Sequence, residues 1–340
     1  MNETVKLAYE LCRVPSVTGD EKLLLEKLEL WLKDHGFLVE RIPVCQQRFN
    51  IFAYFTPRPK YTLIYCTHID TVAPFVEPKV DLDHGILWGR GACDAKGILA
   101  SMIFASLSQK SSGFDDLALL ITVGEEESSD GAKVCNNVLR QRARYVVIGE
   151  PTELKAAYGQ KGSLVFDLHC EGVEAHSALP HLGQSAIHEL VKGMAVLLNY
   201  TWPRNDDFGD TLINIGHVNG GCMRNVVAKA AFAEAIMRTS QPTDSILEII
   251  KERLTEGVKI DVKSKCEPFF YHVPDGFDSF LAGFGSDAPY LQDVGKLILL
   301  GPGSLTVAHT SHESMHIEDL NGGVAAYQNV AQLCRGKTHE

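Results

Sequence analysis

Residues 61–70, Y-T-L-I-Y-C-T-H-I-D, constrain the fold of this 340-residue chain more than any other segment. Their central part, L-I-Y, combines apolar and β-prone side chains, which is typical of a strand buried on both faces. His68 and Asp70 follow where that strand should end. Ligand sites of open α/β sheets gather at the carboxyl ends of strands, and an imidazole oriented by a carboxylate suits a metal. Taken alone, the pair also fits a histidine that caps a strand and an aspartate in a turn.

Further apolar runs predict the rest of the fold. Residues 117–123, 145–148 and 296–300 have the character of buried strands, with helical segments along the chain between them. Such alternation indicates an α/β sheet covered by helices on both faces. Residues 159–268 instead combine alternating strands, such as V-F-D-L-H-C, with two amphipathic helices. We therefore predict a catalytic domain of residues 1–158 and 269–340, interrupted by a smaller α+β domain with an antiparallel sheet.

Composition argues against several classes of protein. The net charge of -11 disfavours nucleic acid, which needs a basic surface, and no apolar run reaches the length of a membrane span. The N-terminus carries early acidic residues and no signal-peptide cleavage pattern. The nine cysteines are scattered and never spaced as C-x-x-C, which argues against a disulfide framework and a structural zinc knuckle. We expect a cytoplasmic protein.

Acidic and imidazole side chains recur at the predicted strand ends or in the loops beside them. They are His68 with Asp70, Asp94, Glu125 with Glu126, Glu150 and His309. Burying so many carboxylates together is costly unless cations neutralise them. Mixed histidine and carboxylate ligands suit two divalent ions, zinc above all, or manganese or cobalt, with one carboxylate bridging the pair. Each motif alone also fits a turn, a solvated acidic run or surface histidines, but their recurrence at strand ends favours the metal site.

Four motifs carry a resemblance to a known family. T-H-I-D-T-V, G-R-G-A-C-D-A-K-G, G-E-E-E-S-S-D-G and G-E-P-T occur in this order and resemble the di-zinc metallopeptidase and deacylase family. That family includes aminoacylase, acetylornithine deacetylase, succinyl-diaminopimelate desuccinylase and glutamate-type carboxypeptidases. The similarity extends over nearly the whole chain. It implies a mixed, mostly parallel sheet covered by helices, with the inserted domain acting as a lid.

The resemblance also implies a role for each matching residue. The metal ligands would be His68 and Glu150 on the first ion, Glu126 and His309 on the second, and Asp94 as the bridge. Asp70 would orient His68. Glu125 would be the general base that takes a proton from the attacking water and delivers it to the leaving amine. The implied reaction is amide hydrolysis without a covalent enzyme intermediate.

The inserted domain adds further candidates by resemblance. The segment E-A-H-S-A-L-P contains His176, whose family counterpart reaches a neighbouring active site, often from a partner subunit, and stabilises the oxyanion. A homodimer through the lid would follow. Asn225, Arg238 and Gly303 would contact the substrate, with Arg238 holding its carboxylate. The chain departs from the usual Asp-x-Arg there, because Ile236 stands in place of the aspartate.

The C-terminal segment bears on the substrate. G-S-D-A-P, L-L-G-P-G-S and A-H resemble acetylornithine deacetylase, and Leu305 stands where desuccinylases usually carry an asparagine. We expect removal of an acetyl group from a small N-acyl amino acid, with N-acetylornithine, in arginine biosynthesis, as the first choice. N-acetylcitrulline, N-acetyl-lysine and succinyl-diaminopimelate are alternatives, as is a dipeptidase or carboxypeptidase activity. An inactive binding protein on the same fold is a further alternative.

Overall fold

The structure is a computed structural model, and it describes residues 1–336. The helices are α1 (Glu3–Cys12), α2 (Lys22–Asp34), α3 (Lys96–Ser111), α4 (Asp130–Val138), α5 (Ala186–Asn199), α6 (Thr243–Arg253) and α7 (Ile317–Gly336). The strands are β1 (Leu38–Cys45), β2 (Arg48–Tyr54), β3 (Tyr61–His68), β4 (Lys79–Asp81), β5 (Ile86–Trp88), β6 (Leu117–Thr122), β7 (Ala143–Ile148), β8 (Ala156–Gln160), β9 (Gly162–Glu171), β10 (Arg204–Asn205), β11 (Gly209–Asp210), β12 (Leu212–Gly220), β13 (Ala230–Thr239), β14 (Val258–Cys266), β15 (Phe269–Phe270), β16 (Ser279–Ala282), β17 (Lys296–Leu299) and β18 (Ser314–His316).

The chain divides into two compact units. Unit 1 comprises Met1–Tyr158, Tyr271–Phe280 and the chain from Ser286 onward, and unit 2 comprises Gly159–Phe270 and Leu281–Gly285. The chain therefore leaves unit 2 two residues later than the predicted boundary at residue 269. It also returns to unit 2 at Leu281–Gly285, a short excursion that no pattern in the sequence marks.

Unit 1 is built on a six-stranded sheet with the order β1-β2-β6-β3-β7-β17. Strand β3 pairs in parallel with β6 and β7, and β17 pairs in parallel with β7, whereas β1 and β2 are antiparallel. On β3, Leu63 and Tyr65 point to one face and Ile64 and Cys66 to the other, yet all four are completely buried. The predicted mixed, mostly parallel sheet with both faces covered is confirmed.

The register of the parallel strands places their carboxyl ends at one edge of the sheet. His68 of β3 lies opposite Thr122 of β6, and Cys66 lies opposite Ile148 of β7. The loops that leave these strands begin at the same level, since aligned parallel strands end together. These loops carry Asp70, Glu125 and Glu150.

A small three-stranded sheet in unit 1 differs from the prediction. The sequence predicts a loop over residues 71–80, but Lys79–Asp81 forms β4, which pairs with β5. Strand β5 in turn pairs with β18, with Trp88 opposite Ser314. These strands have three residues each, too few for an alternating pattern to indicate them. The pairing brings the G-R-G-A-C-D segment beside the A-H-T-S-H-E segment.

Unit 2 contains an antiparallel sheet with the order β12-β13-β9-β14, against which α5 and α6 pack. Leu164, Phe166 and Leu168 of β9 are buried, and the side chains between them are at least partly exposed, as the alternation predicts. The sequence predicts one of the two helices of this unit over residues 182–199, but α5 begins at Ala186. Its N-cap is Ser185, whose hydroxyl accepts the His188 N–H, and the preceding Pro180–Leu182 forms a 3-10 turn.

Among the described residues, no helix is both long enough and apolar enough to cross a membrane.

Candidate metal centre

His68 is held in a fixed orientation at the end of β3. Its Nδ1 lies 3.0 Å from the main-chain oxygen of Asp70 and 3.6 Å from Asp70 Oδ1, so Nδ1–H donates to the carbonyl. Its Nε2 faces Asp94 Oδ1 at 3.0 Å. Because Nδ1 faces acceptors, the Nε2 atom is the one available as a metal ligand. Burial opposes the imidazolium, but Asp70 and Asp94 outweigh it and raise the pKa of His68.

Asp70 is completely buried and serves as an acceptor for three groups besides the histidine. Its Oδ2 accepts from the Thr18 hydroxyl at 2.8 Å and from the Glu126 N–H at 3.2 Å, and its Oδ1 accepts from the Glu125 N–H at 3.2 Å. Burial favours the neutral carboxyl, but these bonds and His68 lower the pKa of Asp70. Asp70 therefore positions the β3 end and the Glu125–Glu126 backbone together.

Asp94 directs its two carboxylate oxygens toward different histidines. Oδ1 lies 3.0 Å from His68 Nε2, and Oδ2 lies 3.4 Å from His309 Nε2. His309 Nε2 also lies 3.0 Å from Glu126 Oε2. Burial opposes ionisation of Asp94, but the hydrogen bonds from His309 and His68 hold its pKa well below the usual range. This is the arrangement that a bridging carboxylate requires.

Glu125 and Glu150 carry the unbalanced negative charge of the site. Desolvation, followed by the neighbouring acidic groups, raises the pKa of Glu150 well above its usual value. Desolvation likewise raises the pKa of Glu125, against the opposing effect of His68. Glu150 is 4% exposed. Neighbouring carboxyls whose ionised forms are disfavoured in this way are the kind of group that a bound cation stabilises.

The donor set fits divalent metal ions. His68, Asp94 and Glu126 can place one ligand atom each within 4.8 Å of one another, and His309 borders the same group. Imidazole nitrogens together with carboxylate oxygens are ligands that zinc, manganese and cobalt accept. The residues that the sequence predicts as ligands in unit 1 are thus brought to one edge of the sheet. Their assignment to individual ions stays a prediction.

Some residues of the site were not predicted from the sequence. Asp287, in the G-S-D-A-P segment, is 2% exposed, and neither of its carboxylate oxygens has a hydrogen-bond partner within residues 1–336. Desolvation raises its pKa to about 6. Thr18 in the loop after α1 and Glu313 after His309 were likewise not assigned to the site. Gly303, a predicted substrate contact, is buried with a φ of +84°, and its carbonyl accepts the Glu153 N–H at 2.8 Å.

The predicted lid residues His176, Asn225 and Arg238 all lie in unit 2. His176 is exposed, and its Nδ1 accepts the Ala178 N–H at 3.1 Å, which leaves the ring proton on Nε2. The adjacent Asn225 is exposed, and its main-chain carbonyl accepts the Ser177 N–H at 3.0 Å. Arg238 on β13 is half-buried, and its guanidinium makes no hydrogen bond or ion pair in the described part of the chain. Desolvation lowers the pKa of Arg238.

Comparisons with known proteins match this chain to one family. The model described as peptidase family M20/M25/M40 matches residues 64–333. A peptidase M20 domain-containing protein of Schizosaccharomyces pombe is 33% identical over 336 residues, covering 96% of this chain and 83% of the relative. A probable carboxypeptidase of Ajellomyces dermatitidis is 31% identical over 374 residues, covering 97% of this chain and 86% of the relative.

A solved structure of another protein shares this fold. A tripeptidase from Staphylococcus aureus superposes with a TM-score of 0.83 at 22% identity, covering 98% of each chain. At that identity the likeness concerns the fold, including the inserted unit.

We predict that metal binding releases protons from this site. In the metal-free protein, hydrogen bonds to Asp94 and Glu126 raise the pKa of His309 to about 10, so this histidine is protonated at neutral pH. A metal must displace that proton, so the apparent affinity for Zn²⁺ should rise as the pH increases from about 6 to about 9. Calorimetric titrations in buffers of different ionisation enthalpy measure the release.

The exposed neighbour His312 provides a matched control for this titration. His312→Gln should behave as the parent protein, whereas His309→Gln should release fewer protons. A binding enthalpy that is the same in all buffers, with an affinity that does not change with pH, would contradict the protonated His309.

Proposed function

The chain belongs to the peptidase family M20/M25/M40 and is a metal-dependent hydrolase of amide bonds, and we propose that it removes a small acyl group, first of all acetyl, from the α-nitrogen of an amino acid. The observation that carries the hydrolytic part is the pair of Asp94 oxygens facing His68 and His309. That geometry supports two divalent ions, for which zinc is the first choice and cobalt or manganese the alternatives.

Glu125 is the proposed general base and acid. When bound, the two ions polarise the scissile carbonyl and lower the pKa of the attacking water. Glu125 takes the proton of that water and afterwards delivers it to the nitrogen of the departing amine. Its neighbour Glu126 faces His309 and is the proposed metal ligand, so the two adjacent glutamates are assigned different tasks. The backbone N–H groups of both donate to Asp70, which fixes the segment that carries the base.

His176 and Arg238 are proposed to bind the reacting amide and the carboxylate of the substrate. The Ala178 N–H that donates to His176 Nδ1 leaves Nε2–H free to donate to an oxyanion. A half-buried guanidinium without a counter-ion among the described residues favours an anionic ligand, and a carboxylate matches its donor geometry. Asn225 lies next to the His176 segment and is proposed to contribute to substrate binding, as is Gly303.

The choice of substrate rests on the C-terminal segment. Its resemblance to acetylornithine deacetylase favours N-acetylornithine, which would yield ornithine and acetate in arginine biosynthesis; N-acetylcitrulline and N-acetyl-lysine share the required chemistry. The second candidate is a carboxypeptidase or dipeptidase, which is favoured by the name of the Ajellomyces relative. Both candidates require a free substrate carboxylate. We also propose a cytoplasmic location and a homodimer formed through unit 2.

We predict that Glu125→Gln lowers kcat by about 10²–10⁴-fold while both metal ions remain bound, because the amide cannot accept the proton of the attacking water. Steady-state kinetics and metal analysis of the same preparation measure the two effects. Glu127→Gln is the matched control, since this adjacent glutamate is exposed and should retain activity within about twofold. Retention of activity by Glu125→Gln would remove Glu125 from the reaction.

We predict that His176→Ala lowers kcat by about 10²–10³-fold with a smaller change in KM, as expected for a donor that acts on the transition state. His181→Ala alters another exposed histidine, directly after the E-A-H-S-A-L-P segment, and should have little effect. Unchanged turnover by His176→Ala would exclude the oxyanion role.

A substrate panel on enzyme loaded with zinc or cobalt tests the proposed specificity. We expect kcat/KM for N-acetylornithine, N-acetylcitrulline or N-acetyl-lysine to exceed that for dipeptides and for succinyl-diaminopimelate by at least about tenfold, a difference of about 1.4 kcal/mol in transition-state binding. Preferential cleavage of dipeptides would establish the second candidate. Preferential cleavage of the succinyl compound would also overturn the deacetylase proposal.

A further inference from the structure

Glu313 is a fully buried carboxylate that binds the loop carrying Asp94. Its Oε1 accepts three main-chain N–H groups, from Gly91 at 2.9 Å, Cys93 at 3.1 Å and Asp94 at 3.0 Å. Its Oε2 accepts from Arg90 Nη1 at 2.5 Å. One side chain thus accepts three main-chain N–H groups and the Arg90 guanidinium of a loop that has no regular secondary structure.

Arg90 extends this arrangement to the segment before the loop. Its side chain is 2% exposed, and its Nε donates to the Pro74 carbonyl at 3.2 Å. Gly91 permits the compact turn, because its φ is +86° and a Cβ there would lie 2.7 Å from Lys96 Cδ. The loop therefore depends on a buried ion pair and on a glycine that no other residue replaces without strain.

Glu313 also connects Asp94 to the segment that carries His309. It follows His309 by four residues and immediately precedes β18. Its main-chain oxygen accepts the Gly89 N–H at 3.0 Å, at the end of β5. Glu313 therefore connects both His309 and Asp94 to the paired short strands β5 and β18.

We propose that the Glu313–Arg90 pair is a positioning device that holds Asp94 and His309 at the separation that two metal ions require. This inference rests on the proposed function, in which both residues are metal ligands. A charged acceptor with three N–H donors makes strong hydrogen bonds, and removing it leaves those donors and the Arg90 guanidinium unpaired in the interior. Groups that orient metal ligands typically change metal affinity 10- to 100-fold when they are altered.

A purely structural ion pair would behave differently, because its loss would lower stability without altering how the metals are bound. Glu29 provides the comparison. It is a buried acid of the same unit that pairs with Lys33 at 2.6 Å and with Arg41 at 2.6 Å, and neither partner is in the metal centre. Glu29→Gln should therefore cost stability and leave cobalt binding unchanged.

The test is a cobalt titration of the metal-free full-length protein, followed by visible absorption, with folding checked by circular dichroism. We expect Glu313→Gln to weaken binding of at least one Co²⁺ ion about tenfold or more and to change the d–d spectrum of the loaded protein. Arg90→Lys, which keeps the charge but loses the planar fork, should shift binding in the same direction by a smaller factor. If Glu313→Gln does not fold, Arg90→Lys decides the outcome.

The proposal is overturned if the folded variant binds two Co²⁺ ions within about twofold of the parent affinities and with the parent spectrum. Asp94→Asn separates this failure from failure of the proposed function. If Asp94→Asn also binds both ions normally, the metal assignment itself is wrong. If Asp94→Asn loses metal and Glu313→Gln and Arg90→Lys do not, only the positioning role is wrong.

Discussion

Crowding of buried negative charge at one edge of the unit 1 sheet is the constraint on which the site depends. The acidic residues are Asp70, Asp94, Glu125, Glu126, Glu150 and Asp287, and the imidazoles near them are His68 and His309. Each carboxylate removed from water costs several kcal/mol unless something replaces its hydration. Asp70 obtains hydrogen bonds, and Asp94 and Glu126 face histidines, whereas desolvation raises the pKa values of Glu125 and Glu150. Two divalent cations neutralise the negative charge that hydrogen bonds and histidines leave uncompensated. The ions that stabilise this edge of the sheet are therefore the same ions that the hydrolytic chemistry requires.

The parts of the fold and site that depend on local patterns could be predicted from the sequence. A buried strand is indicated by its own apolar residues, and parallel strands in register end at one edge. The positions of His68, Glu125 and Glu150 follow from where three such runs end. The alternation V-F-D-L-H-C in β9 likewise predicted a strand of the inserted antiparallel sheet. Arg238 was found only by resemblance, because no local pattern distinguishes an arginine that binds a substrate from one that does not.

The parts that depend on contacts between distant residues could not be predicted. Glu313 lies more than 200 residues from the loop it organises, and its role becomes evident only when β5 and β18 pair. Asp287 is buried at the start of a 3-10 turn. Leu281–Gly285 belongs to unit 2, although no change in composition distinguishes this segment. Hydrogen bonds of this kind depend on loop geometry and strand register, to which periodicity is insensitive. The homodimer, the cytoplasmic location and the identity of the acyl group stay predictions.

The central claim is that Asp94 bridges two metal ions. Anomalous diffraction at the zinc absorption edge, from crystals of the zinc-loaded protein, tests it most directly. The account predicts two peaks about 3.5–4 Å apart, with one Asp94 oxygen directed at each. One peak is predicted beside His68 and Glu150, and the other beside Glu126 and His309. A single peak, or two peaks with Asp94 bound to only one of them, would contradict the account.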